Sequence, residues 1–263
     1  TYQIGSGTHL ATMTKIDVVY DFRTSDMTLG GQGAPLIPIF DYNYLQEKEK
    51  DVIVLNIGGI ANITYLKANG SKSDVIAFDT GPGNCLIDLL MSKYFKLDFD
   101  KDGLYARKGN LDLETLDRLM RHEYISRQYP KSTGKELFNL AFLEKNGVLK
   151  LTPKDALATV THFTAQSIAQ NIEMITSSKF ILKVAGGGAK NQFLMELLNT
   201  NIPKAKVKNT ILDGKDITDS REALLMSFLA FQRINEIPAN VPSVTGAKRE
   251  ILLGSIAKGS IDS

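Results

Sequence analysis

Short apolar runs separated by glycine-rich turns give way, in the second half of the chain, to longer stretches with helical spacing. Ile16 to Phe22, Val52 to Asn56, Ile60 to Leu66, Val75 to Phe78 and Phe180 to Ala185 are rich in β-branched and aromatic residues and predict strands. Gly58-Gly59 separates the second run from the third, which predicts a β-hairpin. From Thr152 the period changes. Thr152-Pro153-Lys154-Asp155 offers a cap, a proline at the first helical position and an acid in the first turn. Ala156, Val160, Phe163, Ile168, Ile172 and Ile175 then recur near helical spacing up to a break at Thr176-Ser177-Ser178. Asn191 to Asn199 predicts a helix directly after a strand, and Glu222 opens another over Ala223 to Ile234. These elements predict an α/β protein of two lobes around a cleft. Leu36 to Tyr44 leads out of the first lobe, and the charged run Gln46 to Asp51 marks the boundary.

Candidate chemistry lies at the turns. In Ala77-Phe78-Asp79-Thr80-Gly81-Pro82-Gly83-Asn84, a strand is expected to end on the Asp79 carboxylate and turn into a helix, where main-chain amides become free and glycines admit a ligand. A helix cap is the plain alternative for Asp79. Three further runs, Gly30-Gly31-Gln32-Gly33-Ala34-Pro35, Asn56-Ile57-Gly58-Gly59-Ile60-Ala61-Asn62 and Ala185-Gly186-Gly187-Gly188-Ala189-Lys190-Asn191, are each expected beside an apolar strand. None has the Gly-x-x-x-x-Gly-Lys-Ser/Thr or Gly-x-Gly-x-x-Gly spacing, so the P-loop and dinucleotide readings lose most of their weight. Four such runs point to a nucleotide cleft with amide-lined phosphate sites.

Composition narrows the classes. The chain has 263 residues, 43% hydrophobic and 23% charged, with a net charge of +2. Neither a basic stripe nor a long apolar segment is present, so nucleic acid and membrane are not expected partners. Cys85 is the only cysteine, which rules out an intrachain disulfide and fits a reducing, cytoplasmic setting; it reads as a packing residue. His9, His122 and His162 have no paired spacing, and no protein metal site is expected.

Taken in order, Asp21-Phe22-Arg23, Gly30 to Leu36, Leu55 to Asn62, Asp79 to Asn84, Pro130-Lys131-Ser132-Thr133-Gly134, Ala185 to Ala189, Glu222-Ala223 and Pro242 to Ala247 closely resemble the anhydro-N-acetylmuramic acid kinase family from about Gln3 to about Ile256. The resemblance implies an actin/hexokinase-like (ribonuclease H-like) two-lobed fold. It also implies an ATP-dependent enzyme that opens 1,6-anhydro-N-acetylmuramic acid and phosphorylates it in peptidoglycan recycling. Residues 1–48 are expected to form the remainder of the first, sugar-side lobe, 49–236 the nucleotide-side lobe, and 237–263 a segment returning toward the first. The family's opening strand, its Ser-Gly-Thr phosphate loop and its His-Gly-Gln-Thr stretch have no counterpart before Gln3, and Gly5-Ser6-Gly7-Thr8 aligns with a later segment. The first lobe is therefore expected to be incomplete here.

The resemblance assigns Asp79 as the catalytic base. Asn56, Gly58, Gly59, Asn62, Gly81, Gly83, Asn84, Gly186, Gly187, Gly188 and Asn191 are expected to bind nucleotide, with phosphates on the hairpin and adenosine against Gly186 to Gly188. Arg23, Gln32, Lys131, Ser132, Thr133 and Glu222 are expected to bind the sugar. A surface arginine, a capped turn around Lys131 to Thr133 and a dipole-favoured acid at Glu222 are the plain readings beside these. Mg²⁺ is expected to arrive with ATP, with Asp79 and Glu222 as conceivable outer ligands. A sugar and ATP are the expected partners, together with a homodimer. Two alternatives stand at this point: a non-catalytic, Hsp70-like nucleotide-binding protein, and a glycoside hydrolase with no kinase step.

Overall fold

The computed structural model describes residues 4–212 and 214–259. The chain divides between two units, one formed by Thr1–Gln46, Asn69–Ile76 and Ser220–Ser263, the other by Glu47–Ala68 and Ala77–Asp219. The first unit opens with α1 (Gly7–Thr14), β1 (Val18–Tyr20), α2 (Thr24–Thr28) and α3 (Ile37–Leu45). Only the middle of the strand predicted over Ile16 to Phe22 forms. Gly30 to Pro35 links α2 to α3, so this glycine run does not adjoin a strand as expected.

The second unit is built on a five-stranded mixed sheet. Its elements in chain order are β2 (Val52–Ile57), β3 (Ile60–Leu66), β4 (Ile76–Pro82), α4 (Cys85–Phe95), α5 (Leu113–Met120), α6 (Glu123–Ser126), α7 (Leu140–Lys145), α8 (Pro153–Glu173), β5 (Phe180–Ala185), α9 (Gln192–Asn201) and β6 (Ala205–Asn209). A short antiparallel pair, β7 (Ile211–Leu212) and β8 (Lys215–Asp216), follows. The sheet order is β4-β3-β2-β5-β6. β2 and β3 form the predicted antiparallel hairpin, while β2–β5 and β5–β6 are parallel. β5 is buried at every position, as its unbroken apolar run requires of a central parallel strand.

β4 corrects one expectation. The strand continues through Pro82, so Asp79 lies within it rather than at its end. β4 is an edge strand, where proline's missing amide leaves no ladder bond unmade.

α8 is the spine of this unit. The Thr152 side chain caps it by accepting from the Asp155 amide. Leu157, Val160 and Phe163 pack in one core with Leu86, Leu90 and Met91 of α4, Leu116 and Leu119 of α5, and Phe138, Phe142 and Leu143. Three of its polar side chains instead meet the end of β4. Thr164 Oγ1 donates to Gly83 O at 3.1 Å, while Ser167 Oγ and Asn171 Nδ2 donate to Thr80 O at 2.8 and 3.1 Å. Buried carbonyls at the strand end are thereby satisfied.

The first unit resumes with α10 (Arg221–Ile234), α11 (Pro242–Thr245) and β9 (Ser255–Ala257), and β9 pairs antiparallel with β1. This moves the expected division. Residues 220–236 join the first unit because buried Arg221 on α10 pairs bidentately with buried Asp41 on α3, and Phe228 packs edge-on against Phe40 and Tyr44. Residues 69–76 join it as well. Ser243 Oγ donates to Val75 O at 2.9 Å, and Lys72 pairs with Glu250 at 2.7 Å.

Candidate active site

Asp79 is held by the loop that follows α6. The Thr133 amide donates to Asp79 Oδ2 at 2.9 Å, the Asp79 amide donates to Lys131 O at 3.2 Å, and the Tyr124 hydroxyl donates to Asp79 O at 2.8 Å. Tyr129 stacks on Phe78 with ring centroids 5.2 Å apart. Among the described residues no hydrogen bond engages the second carboxylate oxygen, Oδ1. Burial raises the Asp79 pKa above the ordinary carboxylate range, and the Thr133 amide opposes that shift. A partly desolvated carboxylate with one oxygen anchored and one open is equipped to take a proton.

The Pro-Lys-Ser-Thr-Gly loop therefore reaches Asp79, but the lysine is engaged differently from expectation. Lys131 Nζ donates to Tyr124 O at 2.9 Å and Ile125 O at 3.2 Å and lies 4.9 Å from the Tyr124 ring centroid. Only 7% exposed, it is held to a pKa of about 8, chiefly by burial. Its ammonium fastens the loop to α6. Ser132 is exposed, while the buried Thr133 hydroxyl has no hydrogen-bond partner.

Three of the glycine runs converge beside this corner. The β2–β5 register places Asn56 opposite Ala185, which brings Gly186 to Gly188 against the end of β2. The Gly83 and Cys85 amides donate to Gly59 O at 2.9 and 3.0 Å, and the Asn84 amide donates to Gly58 O at 2.8 Å, so the hairpin turn is bound to the head of α4. The Asn84 side chain donates to Ile57 O at 3.3 Å. Asn56 and Asn62 face each other across the hairpin.

The glycines divide by what a side chain would meet. A Cβ at Gly83 would lie 2.3 Å from Gly58 O, one at Gly81 2.5 Å from Ser167 Oγ, and one at Gly188 2.3 Å from Ile57 Cγ2. Close packing of the protein on itself accounts for these three. Gly58 and Gly187 have room for a side chain: a Cβ would meet Ile60 O at 3.6 Å and the Asn84 amide nitrogen at 3.9 Å, ordinary contact distances. Asn191 is a cap: its side chain accepts from the Leu194 amide at 3.1 Å at the start of α9. Cys85 is buried, and burial pushes its thiol up to about 11, which fits the packing role. His162 lies edge-on to Phe193 on α9.

Arg23, Gln32 and Glu222 belong to the other unit. There the fully buried carboxylate of Asp26, which the sequence did not single out, organises the Gly30 to Pro35 loop. It accepts from the Gly33 amide at 2.9 Å, Asn240 Nδ2 at 2.9 Å and Thr245 Oγ1 at 2.8 Å. Arg23 Nη1 donates to Gly33 O at 2.6 Å, and the Gln32 amide donates to Thr245 O at 2.9 Å. The Gln32 side chain is exposed. Glu222 is exposed in the first turn of α10, beside buried Arg221. Among the described residues no cluster of three or more His, Cys, Asp or Glu side chains could hold a metal, and no helix is long and apolar enough to cross a membrane.

The family model described as anhydro-N-acetylmuramic acid kinase matches residues 1–259. The anhydro-N-acetylmuramic acid kinase of Aliivibrio fischeri is 44% identical over 258 residues, covering 97% of this chain and 69% of its own. Those of Vibrio cholerae and Shewanella baltica are 43% and 45% identical, covering 97% of this chain and 69% and 68% of theirs. A solved structure of an activator of 2-hydroxyisocaproyl-CoA dehydratase from Clostridium difficile, with bound ADPNP, aligns at a TM-score of 0.45 and 14% identity, covering 76% of this chain and 67% of its own. A match that runs nearly end to end, at this identity, leaves no doubt of kinship: the chain belongs to the anhydro-N-acetylmuramic acid kinase family.

Proposed function

We propose that this protein is an ATP-dependent kinase that opens the 1,6-anhydro ring of anhydro-N-acetylmuramic acid with water and phosphorylates the released oxygen, giving N-acetylmuramic acid 6-phosphate. The observation that carries the reading is Asp79, whose Oδ2 is anchored by the Thr133 amide while Oδ1 is open. Asp79 takes a proton from water as the water oxygen bonds to the anomeric carbon and the bond from that carbon to the bridging oxygen breaks. The bridging oxygen attacks the γ-phosphorus, the bond to the β,γ-bridging oxygen breaks, and ADP leaves. Phosphorus thus replaces the acid that glycoside hydrolysis requires, so a single carboxylate suffices.

Phosphoryl transfer needs positioning and charge neutralisation more than covalent help. Gly58 and Gly187, where a Cβ would meet nothing closer than 3.6 and 3.9 Å, support a phosphate chain along the hairpin turn and adenosine against Gly186 to Gly188. Mg²⁺ carried by the nucleotide would neutralise phosphate charge. Arg23, Gln32 and Glu222 are proposed sugar contacts, with Asp26 fixing the loop that carries Gln32. Ser132 and Thr133 are proposed beside Asp79, where the unpartnered Thr133 hydroxyl is suited to a substrate oxygen.

The test is mass analysis of the product formed from anhydro-sugar and ATP in ¹⁸O-labelled water. The reading expects one ¹⁸O in the sugar, none in the phosphate, and one ADP per sugar. Label in the phosphate, or ring-opened sugar without phosphate, would refute it.

A further inference from the structure

The residue after the Pro-Lys-Ser-Thr-Gly run bears on the nucleotide site from an unexpected side. Lys135 is exposed, yet its stem lies over the main chain of Gly59: Cε is 2.7 Å and Nζ 3.4 Å from the point a Cβ on Gly59 would occupy. Cys85 Cβ is 3.9 Å from the same point. Gly59 leaves the space that the lysine stem fills, and the ammonium is carried to the hairpin turn. Lys135 forms no ion pair among the described residues, although Asp88 on α4 and the Cys85 thiol lie close enough to sense its charge. Asp88 is half-buried, and burial raises it to about 6 against the pull of Lys135. Lys131, the basic residue inside the motif, has its ammonium on the Tyr124 and Ile125 carbonyls. Of these two lysines, the one carried to the turn is the one outside the motif.

We propose that Lys135 is a phosphate ligand, placing its ammonium on the nucleotide's phosphate chain where that chain crosses the Gly58-Gly59 turn. The proposal rests on the reading that this turn holds phosphates. A flexible ammonium is a suitable partner for phosphate as a point charge.

The experiment is calorimetric titration with ATP and with adenosine, in constant magnesium, of the parent protein and the Lys135→Met, Lys135→Arg and Gly58→Val variants, each checked for fold by circular dichroism. Loss of one charge-assisted contact should weaken ATP binding about 10- to 100-fold in Lys135→Met. Adenosine affinity should be unchanged, and Lys135→Arg should restore most of the loss. Unchanged ATP affinity in Lys135→Met, with a loss in Gly58→Val, would overturn the role of Lys135 and leave the phosphate turn standing. Unchanged affinity in both would remove the turn reading and the proposal together. Equal loss of ATP and adenosine would show a structural effect and overturn it as well.

Discussion

Replacing Gly83 with Ala should damage the fold itself, because this glycine is needed for the protein to pack on its own main chain. Its Cβ would sit 2.3 Å from Gly58 O and 3.2 Å from both Ala61 N and Ile60 C. A carbon and a carbonyl oxygen approach to about 3.3 Å, so the turn or the head of α4 must shift by about 1 Å. Overpacking of this kind costs roughly 1–3 kcal/mol. The shift also strains the amide donations from Gly83 and Asn84 to Gly59 O and Gly58 O, at about 1 kcal/mol each. A total of about 3–5 kcal/mol should lower the melting temperature by roughly 6–20 °C. Thermal unfolding followed by circular dichroism measures it, with Gly187→Ala as the control. The control side chain meets its nearest neighbour at an ordinary contact distance of 3.9 Å and should stay within about 0.5 kcal/mol of the parent. A Gly83→Ala protein melting within about 2 °C of the parent would refute the packing argument.

Gly187→Val should weaken ATP binding measured by calorimetry while the circular dichroism spectrum stays intact, since the protein leaves room for a side chain there and that side chain would occupy the face proposed for the nucleotide. Lys131→Met should destabilise by about 1–3 kcal/mol in denaturant titration, because it removes the donor to two carbonyls of α6. The pH behaviour of Asp79 should run in opposite directions for activity and stability. Its raised pKa places the acid limb of the rate profile above the ordinary carboxylate range. The same shift means that its contribution to stability is present when it is protonated and is lost as pH rises through the folded pKa. Asp79→Asn should therefore melt higher than the parent near neutral pH, with the gap closing in acid, as scanning calorimetry at several pH values would show.

Much of the fold was legible because period and punctuation agreed. The hairpin around Gly58-Gly59 and the helix after Thr152 formed where alternation, turn residues and caps predicted them. β4 was misread because Gly81 and Pro82 usually stop strands, and sequence does not say that a strand lies at an edge. The glycines show the sharper limit. Gly83 and Gly187 look alike in sequence, yet one is pressed on a carbonyl and the other has room for a side chain. Asp26 escaped notice because its partners lie as far as 219 residues away in the chain. The contacts of Lys131 were not legible for a related reason: what its ammonium touches depends on the Tyr124 and Ile125 carbonyls, which no local motif reveals. Lys135, one residue past the motif, carried no signal of its own beyond that proximity.

The central claim is that Asp79 is the base for a reaction in which ring opening and phosphorylation are one event. Measuring both products from anhydro-sugar and ATP with the Asp79→Asn variant tests it most directly. Asn retains an oxygen to accept from the Thr133 amide but cannot take a proton. The account predicts that ring opening and phosphorylation fall together by about 10²- to 10⁴-fold, with ATP affinity little changed. Near-parent turnover by the variant, or loss of one product without the other, would contradict it.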